Sequence, residues 1–224
     1  MKSCLFSLFS FATLLISTQA SATITSGSVT SGGGSFVKLS LPFTESTPGN
    51  TVGNDTFQTL DLYGFDEGQN INITTDINVN ILADGLGGGS SAGVVTAGST
   101  VASHYIFFDP LNFVSQAGTV SFDSEIYGVI TSSANLAASD FLINTGVTYL
   151  NAGLRGLEGG DSVTITGLKT ISVNWTASSP GDYIRVLTDY SPGASVVPVP
   201  AAIWFFGTGL LSLVSVSRLK SKKA

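Results

Sequence analysis

The sequence predicts an all-β fold: one β-sandwich-like domain with a single short helix, set between an N-terminal signal peptide and a C-terminal transmembrane helix. Three observations predict it. Residues 71–82 alternate apolar and polar side chains, the period of a half-buried strand. Nine short runs of strand character recur between turn residues, in a chain with 26 glycines. Within the central body, a helical pattern occurs only at 135–143.

The strand-like runs lie at 36–42, 57–65, 71–82, 103–108, 119–122, 126–131, 162–166, 170–176 and 183–188. In the third, Ile71, Ile73, Thr75, Ile77, Val79 and Ile81 share one face, with Asn72, Thr74, Asp76, Asn78 and Asn80 opposite. Gly167-Leu168-Lys169 joins two later runs as a short hairpin loop. Asn135 is placed to cap the helix, and Gly146 marks its stop. Residues 85–93 form a Gly/Ser loop. At 224 residues the chain holds one domain, at most two small ones, and the body is long enough for a core without staples.

Composition excludes several chemistries. One cysteine and one histidine permit neither an intrachain disulfide nor a Cys/His zinc site. A net charge of -6 argues against a basic nucleic-acid-binding surface. The charge is also unevenly placed. All 15 acidic residues lie between Glu45 and Asp189; against them the body, 23–190, has only Lys38, Arg155, Lys169 and Arg185, so it carries a net charge of -11. The two ends are apolar and basic.

The first end, residues 1–22, reads as a secretory signal peptide. Lys2 supplies the positive start, 5–16 the apolar stretch, and Ala20-Ser21-Ala22 the small residues of a cleavage site, with Ala20 and Ala22 at the recognised positions and cleavage after Ala22. Cys4 leaves with this peptide, so the mature chain has no thiol nucleophile.

The second end is a membrane signal. Residues 201–217, AAIWFFGTGLLSLVSVS, carry no charge and as a helix would be about 25 Å long, enough for a hydrocarbon core. Eight strongly apolar side chains contribute roughly -2 to -5 kcal/mol to insertion. Arg218, Lys220, Lys222 and Lys223 form a basic stop expected on the cytoplasmic side, which puts the acidic body outside. Ahead of the span, 191–197 is a linker, and Pro198 and Pro200 keep the entry extended. An exposed extended peptide at the membrane face is what a membrane-embedded processing enzyme can grip.

VPVPAAIWFFGTGLLSLVSVSRLKSKK, Val197 to Lys223, resembles a PEP-CTERM sorting signal, with the signal placed at 198–224 and covering about the last 27 residues: proline motif, apolar span and basic end in that order. The resemblance implies export by a Gram-negative bacterium that makes exopolysaccharide, and recognition by an exosortase, a membrane cysteine transpeptidase-like protease. Pro198, Val199, Pro200 and Ala201 would be the recognition element. Val199 stands where the named motif has Glu. The body, 23–190, is similar over about 57–190 to a recurrent ectodomain of uncharacterised PEP-CTERM proteins, through blocks such as LYGFDEGQNINI, AGSTVASHYIFFDP, GTVSFDSEIYGVI and TYLNAGLRGLEGGDSVTI. That resemblance implies export and β structure and supplies no reaction.

Catalytic patterns in the body are weak. Gly89-Ser90-Ser91-Ala92-Gly93 matches the nucleophile-elbow spacing, yet no helical segment comes after it, and no acid separates Ser91 from the sole histidine, His104. Asp123 and Glu125 lie two apart, a spacing that places both on one strand face, and Asp66 and Glu67 are adjacent; with 15 acids such pairs are expected without a cleft. No catalytic residue is therefore assigned. Oxygen donors for calcium are offered by Asp61, Asp66, Glu67, Asp84 and Asp109, the last with Asn112, although none has EF-hand spacing. No cofactor is required.

Two functional classes remain. One is a non-catalytic surface or matrix protein, inserted in the inner membrane, processed by exosortase and passed to the cell surface or the exopolysaccharide matrix. The other is a glycan-binding module of the same layer, stacking sugars on exposed members of the set Tyr63, Tyr105, Tyr127, Tyr149, Trp175, Tyr183 and Tyr190. An uncleaved single-span anchor is the alternative for location. Partners would be the exosortase, the inner membrane and exopolysaccharide, with no nucleic acid.

Overall fold

A computed structural model describes residues 22–190. The signal-peptide residues before Ala22 and everything from 191 onward, including the linker, the sorting signal and the basic tail, lie outside the described residues. Within them the fold is all-β. A four-stranded antiparallel sheet is built from β1 (Ile24–Ser31), β10 (Val114–Phe122), β14 (Thr170–Ala177) and β13 (Ser162–Gly167), in that order. A larger sheet runs β2 (Phe36–Lys38), β4 (Leu62–Asp66), β9 (Thr100–Phe108), β15 (Asp182–Asp189), β11 (Ile126–Ile130) and β7 (Ile81–Leu82), with β5 (Ile71–Asn72) also pairing β9. Two further pairs stand apart: β3 (Thr51–Val52) with β12 (Thr148–Tyr149), and β6 (Ile77–Val79) with β8 (Gly93–Val95).

The two sheets face each other across one core. Val120, Phe122, Ile171, Val173 and Trp175 of the smaller sheet meet Leu62, Ile106, Phe108, Ile184 and Val186 of the larger. Trp175 stacks on Phe108 with ring centroids 6.3 Å apart. Burying a side chain of this size contributes about 2–3 kcal/mol. The other face of the larger sheet is also covered. Leu39, Phe43, Val52, Ile73, Leu136 and Leu142 come from connections and short elements and pack on Tyr63, Phe65, Tyr105, Phe107 and Tyr183. The result is a sandwich with an added irregular layer. It explains why β9 shows no regular apolar–polar alternation: the strand is buried on both faces, so alternation has no solvent side to report.

Several expectations are corrected. Residues 71–82 are three strands, because the chain changes partner within the run. Asp76 turns away to accept from Ala97 N–H at 2.9 Å, and Asn80 accepts from Thr131 and Ser132 N–H at 2.9 and 3.0 Å. Ile73, Ile77 and Val79 are buried as the alternation predicts, but Thr75 is exposed. The run 57–65 is strand only from Leu62, and 36–42 only to Lys38. The strand β1 escapes the sequence pattern because it is mostly Ser, Thr and Gly. It belongs there partly because Gly27 leaves room for Phe36: a Cβ at that position would lie 2.4 Å from the ring. The helix α1 is Ser133–Ala138, and its cap is Ser132, whose hydroxyl accepts from Asn135 N–H; Asn135 sits in the first turn. A 3-10 turn, Asp140–Leu142, comes next, and another spans Ala152–Leu154. The hairpin is as expected, with Leu168 and Lys169 at its tip.

Both ends of the body meet at one turn. Thr23 N–H donates to Asp123 Oδ1 at 2.8 Å, Asp189 N–H donates to Glu125 O at 2.7 Å, and Ser124 Oγ donates to Tyr190 O at 3.4 Å. The connections 32–35, 109–113 and 178–181 lie at the opposite end of the same strands.

Candidate functional site

Strand β4 and the residue after it set the polar architecture. Successive side chains on an extended strand point to opposite faces, so Asp66 and Glu67 enter different layers. Asp66 turns toward the inter-sheet side. It accepts from His104 Nδ1 at 2.8 Å, Ile24 N–H at 3.0 Å and Thr23 Oγ1 at 2.8 Å, and it pairs with Lys38 Nζ at 2.9 Å. Burial alone would raise its carboxyl; the His104 contact, the Ile24 amide and Lys38 outweigh burial and hold it at about 2.

Glu67 turns into the irregular layer and is buried with Arg185. Arg185 Nε and Nη2 donate to its two oxygens at 2.7 and 3.0 Å. Ser103 Oγ and Tyr149 OH donate at 2.5 and 2.9 Å. The same guanidinium donates from Nη1 to Leu136 O at 3.0 Å and Ser139 Oγ at 2.6 Å, so it ties the helix to the sheet. Asp140 extends the chain of charge to Arg155, which grips it with two bonds of 2.9 and 2.6 Å. Burial would lower the Arg185 pKa, but the Glu67 charge and hydrogen bonds raise it above its ordinary value. Every side-chain nitrogen of Arg185 and both oxygens of Glu67 find partners in this network. Its geometry is that of an internal strut.

The five calcium candidates are placed apart, each with partners of its own. Glu67 is spent on Arg185, Ser103 and Tyr149, and Asp66 on Lys38, His104 and the start of β1. Asp61 accepts from Ser35 N–H and Oγ at 2.8 and 3.0 Å. Asp84 closes its own loop by accepting from Leu86 and Gly88 N–H at 2.7 and 2.9 Å. Asp109 accepts from Phe57 N–H at 3.0 Å. The five carboxylates do not converge: among the described residues no group of three or more acidic, histidine or cysteine side chains is placed to hold one ion.

The elbow-like residues 89–93 run directly into β8. His104 lies between the sheets, with Nδ1 on Asp66 and Nε2 3.0 Å from Thr188 Oγ1. Both ring nitrogens are thus engaged away from Ser91. Asp123 and Glu125 sit at the turn that receives the chain ends. Beside it, a surface depression of about 310 Å³ is lined by Glu125, Tyr127, Leu82, Val94 and Val95.

The aromatic set divides by burial. Tyr63, Tyr105, Trp175 and Tyr183 are core residues. Tyr63, Phe107 and Tyr183 form a continuous stack at 5.2 and 5.6 Å. Tyr149 is half-buried on Glu67, Tyr127 half-buried in the depression, and Tyr190 exposed. Rings packed in the core offer no open face to a sugar.

Ala22, the last residue before the expected cleavage point, is buried. Ala20, the sorting element Pro198, Val199, Pro200 and Ala201, and the basic tail fall outside the described residues. Sequence reasoning missed Arg185 and its pairing with Glu67. A lone arginine inside the apolar strand 183–188 was the available signal, since a charge there needs a buried partner. Comparison with protein-family models, curated proteins and solved structures finds no match.

Proposed function

We propose that this chain is an exported, non-catalytic surface or extracellular-matrix protein, sorted and cleaved by an exosortase and associated with exopolysaccharide. The observation that carries the reading is the order of features at the C-terminus: extended proline element, uncharged span of 17 residues, basic stop. The body supports it. Its first strand begins and its last strand ends at the 123–125 turn, so a domain held by a C-terminal membrane segment would present its far end outward. Most of its buried polar groups are committed to internal structure, and most of its aromatic rings are core, which favours a structural role over sugar stacking.

In this reading the signal peptide directs export and the C-terminal helix holds the protein in the inner membrane. The exosortase then grips the 198–201 segment and releases the body to the surface or matrix. The test is intact mass by cell fraction in the native host, with and without the exosortase. A species ending near 197–200 outside the inner membrane, lost without the exosortase or in Pro198→Ala/Pro200→Ala, is the expected result. A membrane species that keeps residues 204–224 in every strain would make the tail an ordinary anchor and overturn the sorting mechanism.

A further inference from the structure

The loop Ser178-Ser179-Pro180-Gly181 joins β14 to β15 at the end of the sandwich farthest from the chain ends. Gly181 adopts a φ of 88°, and a Cβ there would lie 2.8 Å from Phe108 O. The tight turn delivers Asp182 as the first residue of β15. Asp182 shares its strand face with Ile184 and Val186, so it points toward the smaller sheet.

Asp182 is 3% exposed, and its Oδ2 has no hydrogen-bond partner. A buried carboxylate oxygen in that state is strongly unfavourable. Among the described residues no basic side chain serves it. The four of the described residues are engaged elsewhere: Lys38 on Asp66, Arg155 on Asp140, Arg185 on Glu67, and Lys169 on Asp123 O. Asp182 faces more negative charge instead. Burial, then Asp161 and Glu158, push its carboxyl up to about 7. Asp161 is held by Thr176 N–H at 2.8 Å and Glu158 N–H at 3.1 Å.

Beside Asp182 lies a cavity of about 20 Å³, lined also by Glu158, Thr176, Ser178, Ser179 and Gly181. That is room for one water-sized occupant. Its lining residues are rich in side-chain oxygen: the carboxyl groups of Asp182 and Glu158 and the hydroxyls of Thr176, Ser178 and Ser179. We propose that this cavity is a binding site for a single calcium ion, held by Asp182 and Glu158, with hydroxyl or carbonyl oxygens of the 176–181 segment and water completing the shell. Calcium accepts six to eight oxygens of mixed type in flexible geometry, whereas magnesium holds its water and demands an octahedron. Two carboxylates with neutral oxygens suit the first ion. The ion would offset a charge that no lysine or arginine of the described residues neutralises, and would brace the distal loop. The site is independent of how the chain is sorted.

The test uses the full chain in detergent, stripped with EDTA, at about pH 8. Calorimetric titration with calcium chloride alone is expected to give one site per chain. At a calcium concentration of about 100 times Kd, the melting temperature is expected to rise by about 5–10 °C, with a smaller rise for magnesium. Asp182→Asn and Glu158→Gln are each expected to abolish most of that rise. Asp182→Asn in EDTA is expected to melt at or above the parent, because it removes the uncompensated charge. Absence of a calcium shift and of binding heat in the parent would overturn the proposal, as would an undiminished shift in both variants. Glu158 is exposed, so its variant keeps the test decisive should Asp182→Asn fail to fold.

Discussion

Arg185 and Glu67 lie 118 residues apart and meet through two hydrogen bonds of 2.7 and 3.0 Å, with both side chains fully buried. One partner comes from a central strand and the other from the residue just past β4. The same guanidinium holds the carbonyl of Leu136, so three segments of distant sequence are fixed by one group.

Removing one partner leaves the other charged, buried and alone. Glu67→Gln or Arg185→Met is expected to cost about 3–5 kcal/mol. The double replacement by apolar residues of similar volume is expected to cost less than the sum of the singles. Urea denaturation of the four proteins in a double-mutant cycle checks this. Additive losses would show that the pair is not coupled.

Asp66 sets the acid limb of stability. Its folded carboxyl titrates at about 2, below the ordinary 3.8, so its contribution is present above about pH 4 and is lost as pH falls toward 2. The shift corresponds to about 2 kcal/mol. Asp66→Asn is expected to flatten the stability profile between about pH 4 and 2. An unchanged acid limb in that variant would place the titrating group elsewhere.

Asp109 and Asp182 act with the opposite sign. Burial, with the charge of Asp55 on one and of Asp161 and Glu158 on the other, raises them to about 6 and about 7. The folded state holds their protons longer than the unfolded chain, so stability is full below about pH 4 and falls as pH rises through 6 to 7. Together with Asp66 this predicts a maximum near about pH 4–5 in the presence of EDTA. Asp109→Asn and Asp182→Asn are each expected to shallow the neutral limb, read from melting temperatures across pH.

Thr23 would become the first residue after cleavage behind Ala22. Its nitrogen, 2.8 Å from Asp123 Oδ1, would then be a charged ammonium at that carboxylate. Asp123→Asn is expected to destabilise the processed chain by about 1 kcal/mol more than the unprocessed one, with the difference shrinking at high salt. N-terminal sequencing fixes the start, and paired melts at low and high salt measure the coupling. Equal losses in both forms would remove the role assigned to the new terminus.

The legible parts of this fold are those governed by neighbours in sequence. The hairpin at 167–170 needs only a turn between two alternating strands, and the alternation at 71–82 correctly marks Ile73, Ile77 and Val79 for burial. The strand β1 is invisible in the sequence because Ser, Thr and Gly carry no pattern until β10 and Phe36 pack against them. Asp66 and Glu67 part for a related reason. Adjacency of Asp66 and Glu67 suggests a shared site, whereas strand geometry sends them to opposite layers.

By itself the sequence determined the class of the protein: an acidic β body without cysteine, between an apolar N-terminal stretch and an apolar, basic-ended C-terminal stretch. Composition and period suffice for that, because they record which residues meet water and which do not. The tertiary structure alone decided the pairings: Arg185 with Glu67, His104 with Asp66, the chain ends at one turn, and Asp182 beside a small cavity with no basic side chain in reach among the described residues. Those depend on which distant strands become neighbours, and a buried charge acquires its meaning only from the partner that the fold brings to it, or withholds.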